Sequence, residues 1–144
     1  MSEKTANPIP QGRYIPAARY GNLVYTAGMT PRLNGQLILS GKVSTQQPLE
    51  YYRDAVRQAV ANALTAARNT AGEGEDVVRI LSMTVYVNSE PGFLTFAKIA
   101  DFASDYLFEQ LGEAGIGSRA AIGIAALPGE APVEVQLVAA VDRV

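Results

Sequence analysis

Apolar positions recur along the chain with two different periods, and the changes of period predict its elements. In two stretches they return every three or four residues, which is typical of an amphipathic helix with one buried face. The first stretch runs from Tyr52 to Ala67, and the second runs from Phe93 or Phe96 to Leu111. Elsewhere, short apolar or alternating runs indicate strands. The predicted strands cover residues 13–19, 23–27, 36–39 and 77–87, and two more lie within residues 118–141.

Turn-forming and polar residues mark where these elements begin and end. The pair Asn34-Gly35 is a strong hairpin signal, so the first three strands are expected to form a small antiparallel meander. Ser44 or Thr45 is expected to cap the first helix, and Gly72 to stop it. The acidic residues 72–76 lack the alternating oxygen ligands of a cation site, so we expect a solvated loop without function.

The order of elements predicts a fold class. Three strands, a helix, a strand, a second helix and two strands favour an α+β fold, with two helices packed on one face of a mixed, mainly antiparallel sheet. Both sides of the last strands are apolar, at residues such as Ala121, Gly123, Ile124, Val138 and Ala140. One layer of helices covers only one sheet face, so copies of the chain are expected to associate.

Composition narrows the class of protein. At 144 residues and 48% hydrophobic content, one domain spanning residues 1–144 is expected, with residues 1–12 as a flexible arm. The first residues do not look like a leader peptide and no apolar run is long enough to cross a membrane, so we expect a cytoplasmic protein. A net charge of −2 offers no basic surface for nucleic acid.

The missing residue types restrict the chemistry. The chain contains no His and no Cys, which excludes the common zinc sites, a Ser-His-Asp triad and a Cys nucleophile. No metal and no cofactor are expected. Proton transfer is left to a carboxylate, Tyr, Lys, Arg or ordered water.

Two charges in the last fifth of the chain are candidates for that chemistry. Arg119 begins an apolar run, and Glu134 is the one ionised group within residues 132–141. Every second residue of that run is apolar, which turns Glu134 to the other strand face. An arginine fork can hold a carboxylate, and a glutamate can deprotonate water, so the two are expected to be neighbours. The plain alternative for each is a solvated surface charge.

Three blocks of the sequence carry a resemblance to a known family. They are residues 14–18 with 21–28, residues 77–87, and residues 118–135 with Leu127-Pro128 inside them. In composition and order they resemble the Rid family of reactive-intermediate deaminases, also called YjgF-type proteins or L-PSP endoribonucleases. The separation of Arg119 and Glu134 also fits the spacing of that family.

The resemblance implies a structure and an activity. The fold would be chorismate-mutase-like, of the bacillus type, in a homotrimer with pockets between neighbouring subunits. The activity would be hydrolysis of reactive 2-imino acids with release of ammonia. Glu134 and Tyr14 would be catalytic, and the residues that bind the small carboxylate or imino-acid ligand would be Arg119, Tyr14, Gly28 and Ala121.

Departures from the family pattern keep other functions open. Ala27, Ala120 and Ala121 stand where deaminating members carry polar residues, and the connection over residues 107–118 is longer. A trimer that binds small carboxylates or other metabolites without turnover is the second hypothesis. An endoribonuclease is the third, and the acidic composition argues against it. Tyr14 could instead cover the edge of the core, and Gly28 could simply end a strand.

Overall fold

A computed structural model describes residues 5–144 of the chain, and its main feature is a five-stranded sheet covered on one face by two helices. The elements in chain order are β1 (Ala17–Tyr20), β2 (Leu23–Thr26), β3 (Arg32–Leu33), β4 (Gln36–Leu37), α1 (Arg53–Arg68), β5 (Glu75–Asn88), α2 (Phe96–Leu111), β6 (Ser118–Ile124) and β7 (Val133–Arg143). Short 3-10 helices also occur at Leu49–Tyr52, Gly112–Gly115 and Pro128–Glu130.

The strand order in the main sheet is β1-β2-β7-β5-β6. All neighbours are antiparallel except β5 and β6, which are parallel and are connected through α2. A parallel pair needs such a crossover, because a tight turn cannot bring two strands into the same direction. The predicted α+β architecture, with two helices on one face of a mixed sheet, is therefore confirmed.

The hairpin at Asn34-Gly35 forms, but it does not extend the main sheet. Both residues have positive φ, 54° and 81°, as the favoured two-residue hairpin turn requires. However, β3 and β4 make a separate two-stranded sheet. In the main sheet β2 lies between β1 and β7. The predicted three-strand meander is wrong on this point, because the free edge of β2 pairs with the far end of the chain.

Two predicted element starts are also wrong. The hydroxyl of Ser44 accepts a hydrogen bond from the Gln46 amide instead of capping a helix, and the helical turns begin only after Pro48. Pro48 has the extended conformation that its ring favours next to a helix start. The acidic loop is shorter than predicted, because Glu75 and Asp76 already belong to β5 and pair with the end of β7.

The core lies between the sheet and the helices. The apolar residues that alternate along β7 are fully buried, which confirms their predicted face; they are Val133, Val135, Leu137, Ala139 and Val141. They pack with buried residues of the two helices, including Val56, Val60 and Leu64 of α1 and Ile99, Ala103 and Leu107 of α2. Burial of each Val, Leu or Ile side chain in this set contributes about 1.5–3 kcal/mol.

The second face of the sheet is not covered within one chain. Its exposed side chains include Tyr20 at 90%, Tyr25 at 53%, and Leu23 and Ile122 at 42% each. Large aromatic and aliphatic groups on one sheet face are what the sequence leads us to expect of an associating surface. Within residues 5–144, no helix has the length and apolar character needed to span a membrane.

The arm before β1 has no helix or strand in its described part, residues 5–16. It is attached to the end of α1, because the Asn69 amide donates to the Thr5 carbonyl at 2.6 Å and to the Asn7 side chain at 2.9 Å. Residues 1–4 of the predicted arm lie outside the described residues. Farther along, the arm passes close to the loop that follows β2, because residues 8–11 and Tyr14 line a cavity together with Gly28 and Met29.

Candidate functional site

Glu134 is the second residue of β7 and lies on the sheet face opposite the helices. It stands beside Tyr86 of β5, while its neighbours Val133 and Val135 are fully buried on the helical side. The carboxylate is half-buried, and it has no hydrogen bond or ion pair with any of residues 5–144. Burial raises the pKa of Glu134 above its usual range, because the charged form loses hydration there. Such a carboxylate is suited to accept and return a proton.

Gly28 packs directly against this carboxylate. A Cβ at position 28 would lie 2.6 Å from Cδ and 3.0 Å from Cγ of Glu134, closer than real side chains approach. The contact is fixed by the next residues, because Met29 and Val135 exchange two backbone hydrogen bonds of 2.8 Å. Gly28 is therefore needed for close approach, and the interpretation that it simply ends a strand is incomplete.

Tyr14 lies across a small cavity from the same loop. The cavity measures about 40 Å³ and is lined by Pro8, Ile9, Pro10, Gln11, Tyr14, Pro16, Gly28, Met29, Thr30 and Arg32. The Tyr14 hydroxyl accepts a hydrogen bond of 3.1 Å from the Gln11 amide, and half of the side chain is exposed. The structure therefore brings three of the predicted site residues together: Tyr14 and Gly28 share the cavity, and Glu134 contacts Gly28.

Arg119 lies elsewhere in the chain. It pairs with Met83 of β5, three residues before the position that faces Glu134, so the two charges point to opposite sheet faces. Its guanidinium donates to Asp101 at 2.8 Å and to Ser104 at 3.1 Å, both on α2. The expectation that Arg119 neighbours Glu134 is thus not met within one chain. The sequence did not predict Asp101 as a partner of Arg119, although Asp101 lies next to the apolar stripe of α2 and therefore faces β6.

Small residues bring β6 close to its neighbours. A Cβ at Gly117 would lie 2.5 Å from the carbonyl oxygen of Ile80, and one at Gly123 would lie 2.6 Å from the Phe96 ring. Ala121, between them in register with Val85, is partly buried and packs against the core on the helical side. The predicted ligand residue Ala121 therefore accompanies Arg119 on the edge strand and is separate from Glu134.

The predicted site is thus divided into two groups. Glu134, Gly28 and Tyr14 form one group beside the cavity, and Arg119 and Ala121 form another on β6, two strands away from β7 in the sheet. Within residues 5–144 there is no cluster of three acidic side chains that could hold a metal ion. One half offers a carboxylate with a raised pKa, and the other offers a cationic fork.

Comparison with known proteins defines the class. The family model described as Endoribonuclease L-PSP matches residues 4–141. The chain therefore belongs to the L-PSP, or YjgF, family, and its chorismate-mutase-like fold is that of the family's solved structures.

Particular relatives agree with this assignment. A putative endoribonuclease from Shewanella oneidensis MR-1 superposes with a TM-score of 0.85 at 26% identity, covering 96% of this chain and 91% of its own. Atu1372 of Agrobacterium tumefaciens, described as of unknown function, gives 0.82 at 29% identity, covering 93% of this chain and 86% of its own. Protein TCP17 of Trypanosoma cruzi is 27% identical over 127 residues, which is 88% of this chain and 79% of TCP17.

Proposed function

We propose that this protein is a cofactor-independent deaminase, which hydrolyses reactive 2-imino acids to 2-oxo acids and ammonia in the cytoplasm. The observation that carries the proposal is the Glu134 carboxylate, half-buried, without a partner among residues 5–144, and with a raised pKa. An unpaired buried charge costs folding free energy, so its presence beside a cavity favours a chemical role over a structural one.

The reaction needs one water and one group that moves protons. Water adds to the carbon of the imine, which is protonated on nitrogen, while Glu134 accepts one proton of that water, and the carbon–nitrogen double bond becomes the single bond of a neutral carbinolamine. Glu134 then returns the proton to nitrogen, the carbon–nitrogen bond breaks, and the hydroxyl proton passes through Glu134 to the released ammonia, which leaves as ammonium. The products are the 2-oxo acid and ammonia, so one glutamate serves as base and then as acid. Tyr14, across the cavity, would orient the substrate.

The divided site supports assembly as a homotrimer with pockets between subunits. Arg119 lies on the edge strand β6, and the other half lies near the edge formed by β1 and β2. Contact between unlike edges of two copies would place Arg119 of one chain near Glu134 of the next, and a threefold ring repeats that contact three times. The exposed apolar sheet face would be covered in the same assembly.

Ammonia release from imino acids generated in solution tests the proposal. The wild-type protein should accelerate hydrolysis over the uncatalysed rate, and Glu134→Gln should lose about 100-fold or more of that acceleration. Arg119→Ala should raise KM strongly, because the substrate carboxylate loses the two parallel hydrogen bonds that the guanidinium would donate.

Matched controls at exposed charges are Glu50→Gln and Arg53→Ala, which should leave the rate unchanged. An acceleration that survives in Glu134→Gln would reject the mechanism. Sedimentation of the same samples should give three times the monomer mass. A monomer with full activity would reject the shared pocket.

A second candidate is binding of small carboxylates without turnover. Two observations favour it: the Arg119 guanidinium is already bonded to Asp101, and Ala27, Ala120 and Ala121 supply no side-chain donors. Saturable binding of 2-oxo acids with no imine consumed would select this function. The endoribonuclease activity named in the family description would instead require salt-dependent RNA binding, which the net charge of −2 disfavours.

A further inference from the structure

The cavity beside Gly28 has one cationic wall. Its lining is made of three prolines, apolar side chains and neutral polar groups, and Arg32 is the one charged residue among those that line it. No acidic side chain lines the cavity to neutralise that charge. Arg32 is partly buried, and a partly buried cation attracts an anion more strongly than a fully solvated one does, because less water screens it.

The guanidinium of Arg32 is largely free to take a ligand. Its one hydrogen bond to the described residues goes to the Gly35 carbonyl, at 3.2 Å, and it joins no ion pair with residues 5–144. Arg119 differs, because Asp101 already holds it at 2.8 Å. Arg32 therefore keeps most of its donors available for a carboxylate, which a guanidinium fork can bind through two parallel bonds.

The hairpin strand that carries Arg32 is held by a buried amide. Asn62 of α1 is only 8% exposed, and its Nδ2 donates to the carbonyls of Thr30 at 3.0 Å and Arg32 at 2.8 Å. Gln58 in turn donates to the Asn62 side-chain oxygen at 2.9 Å. Burial of an amide side chain costs folding free energy unless its polar atoms form hydrogen bonds. Here the Asn62 amide donates both of its hydrogen bonds to the backbone around Arg32. The wall of the cavity is thereby positioned from the protein core.

The size of the cavity limits what can bind. Its volume of about 40 Å³ corresponds to about three waters at 10–15 Å³ each, which suits a carboxylate group and excludes a nucleotide or a large ring. Gly28 is a common boundary of this cavity and of the Glu134 carboxylate. A short substrate that extends past Gly28 would place its reacting carbon near Glu134 and a terminal group near Arg32.

We infer that Arg32 binds a second carboxylate, so that the preferred substrates are 2-imino dicarboxylic acids. This inference rests on the proposed deaminase function. In it, the carboxylate next to the imine would be bound by Arg119 of a neighbouring subunit, and the distal carboxylate would enter the cavity beside Arg32. Monocarboxylic imino acids have no distal carboxylate to pair with Arg32. They would therefore bind less tightly and be poorer substrates.

Two measurements on the full chain test the subsite. The first is titration with 2-oxoglutarate and 2-oxobutanoate, stable products that do not depend on turnover. The second is kcat/KM for 2-iminoglutarate and 2-iminobutanoate, both generated in solution by amino-acid oxidases. Arg32→Gln removes the fork, Arg32→Lys keeps only its charge, and Arg53→Gln is the matched control at an exposed arginine outside the cavity. Melting temperatures establish that each variant is folded.

Wild type should prefer the dicarboxylic ligand and substrate by about tenfold or more, the range of a charge-assisted hydrogen bond. Arg32→Gln should lose that preference, Arg32→Lys should retain part of it, and Arg53→Gln should keep all of it. Equal affinity and equal kcat/KM of wild type for the dicarboxylic and the monocarboxylic compounds would overturn the subsite. An equal loss for both classes of compound in Arg32→Gln would overturn it as well. Arg32-dependent binding of 2-oxoglutarate without any imine turnover would support the subsite and reject the deaminase.

Discussion

Two glutamates at opposite ends of the sheet show how differently one residue type can be used. Glu75 begins β5 and accepts hydrogen bonds from both arms of Arg19, at 2.6 and 2.9 Å, and from the Gly72 amide at 2.9 Å. These bonds, with that from Arg19 the largest cause, lower the pKa of Glu75 to about 2. Glu134 is the second residue of β7, has no partner among residues 5–144, and its pKa is raised by burial.

The difference separates a stabilising contact from a reactive group. The pair at Glu75 connects β1 to the start of β5, and its carboxylate stays ionised at any physiological pH. Glu134 instead loses hydration without gaining a bond, so folding of one chain places it in an unfavourable environment. Groups of the second kind concentrate at functional sites, where reactivity is gained at the expense of stability.

Among the predicted substitutions, that of Gly28 should have the largest effect, because it acts on the reactivity that distinguishes Glu134 from Glu75. In Gly28→Ala, the added Cβ would overlap the Glu134 carboxylate and force it aside, because the contact distance to Cδ would be only 2.6 Å. A displacement of about 1 Å at a reacting group can cost about 100-fold in rate, so kcat for imine hydrolysis should fall by about that factor. The melting temperature should change little, since a flexible side-chain end can move.

The matched control is the double variant Gly28→Ala with Glu134→Gln. If Gly28 acts only through the carboxylate, the double variant should be no slower than Glu134→Gln alone. Independent, multiplying losses would show that Gly28 contributes by another route, such as contact with the substrate backbone.

Loss of the paired glutamate should act on stability alone. The folded pKa of Glu75 lies below its unfolded value, so its contribution is present above about pH 4.3 and disappears as pH falls toward about 2. Glu75→Gln should therefore lower the melting temperature by a few degrees at most at pH 7. At pH 2.5 the melting temperatures of wild type and Glu75→Gln should approach each other. Turnover per folded subunit should be the same in both proteins.

Glu109→Gln is the control for that experiment. Glu109 also pairs with an arginine, Arg57 at 2.7 Å, but through one bond and with half of its side chain exposed. Its removal should lower the melting temperature at pH 7 less than removal of Glu75 does, because a single exposed ion pair contributes little. A melting difference for Glu75→Gln that stays constant between pH 7 and 2.5 would contradict an ionic origin.

Local pattern was sufficient to predict the helices and the buried strand. Alternation identified the buried face of β7, and the three- and four-residue spacing located the end of α2 at Leu111 and gave its observed start, Phe96, as one of two possible starts. The start of β5 was missed for a physical reason. Glu75 and Asp76 look like loop residues locally, and they belong to a strand because β7 and Arg19, 56 residues from Glu75, supply their partners.

The candidate site shows the same limit. Sequence pattern and family resemblance named Glu134, Arg119 and Tyr14, since their chemistry is visible in the residue types. They did not predict that Asp101 holds Arg119, or that Gly28 contacts Glu134, because both are contacts between separate elements. Arg32 was not predicted as a site residue, because its sequence segment resembles a polar turn and only the fold places this short hairpin strand on the cavity wall.

The smallest predicted effect is on stability at Glu134, and its sign is opposite to that at Glu75. A raised folded pKa means that stability is fully present below the unfolded pKa and is lost as pH rises through the folded pKa. As long as no cation of another subunit reaches Glu134, Glu134→Gln, which cannot ionise, should melt above wild type at pH 8 and coincide with it near pH 4. A lower melting temperature at pH 8 would contradict an isolated carboxylate. That outcome would mean that a cation reaches Glu134 in the assembled protein, as Arg119 of a neighbouring subunit would.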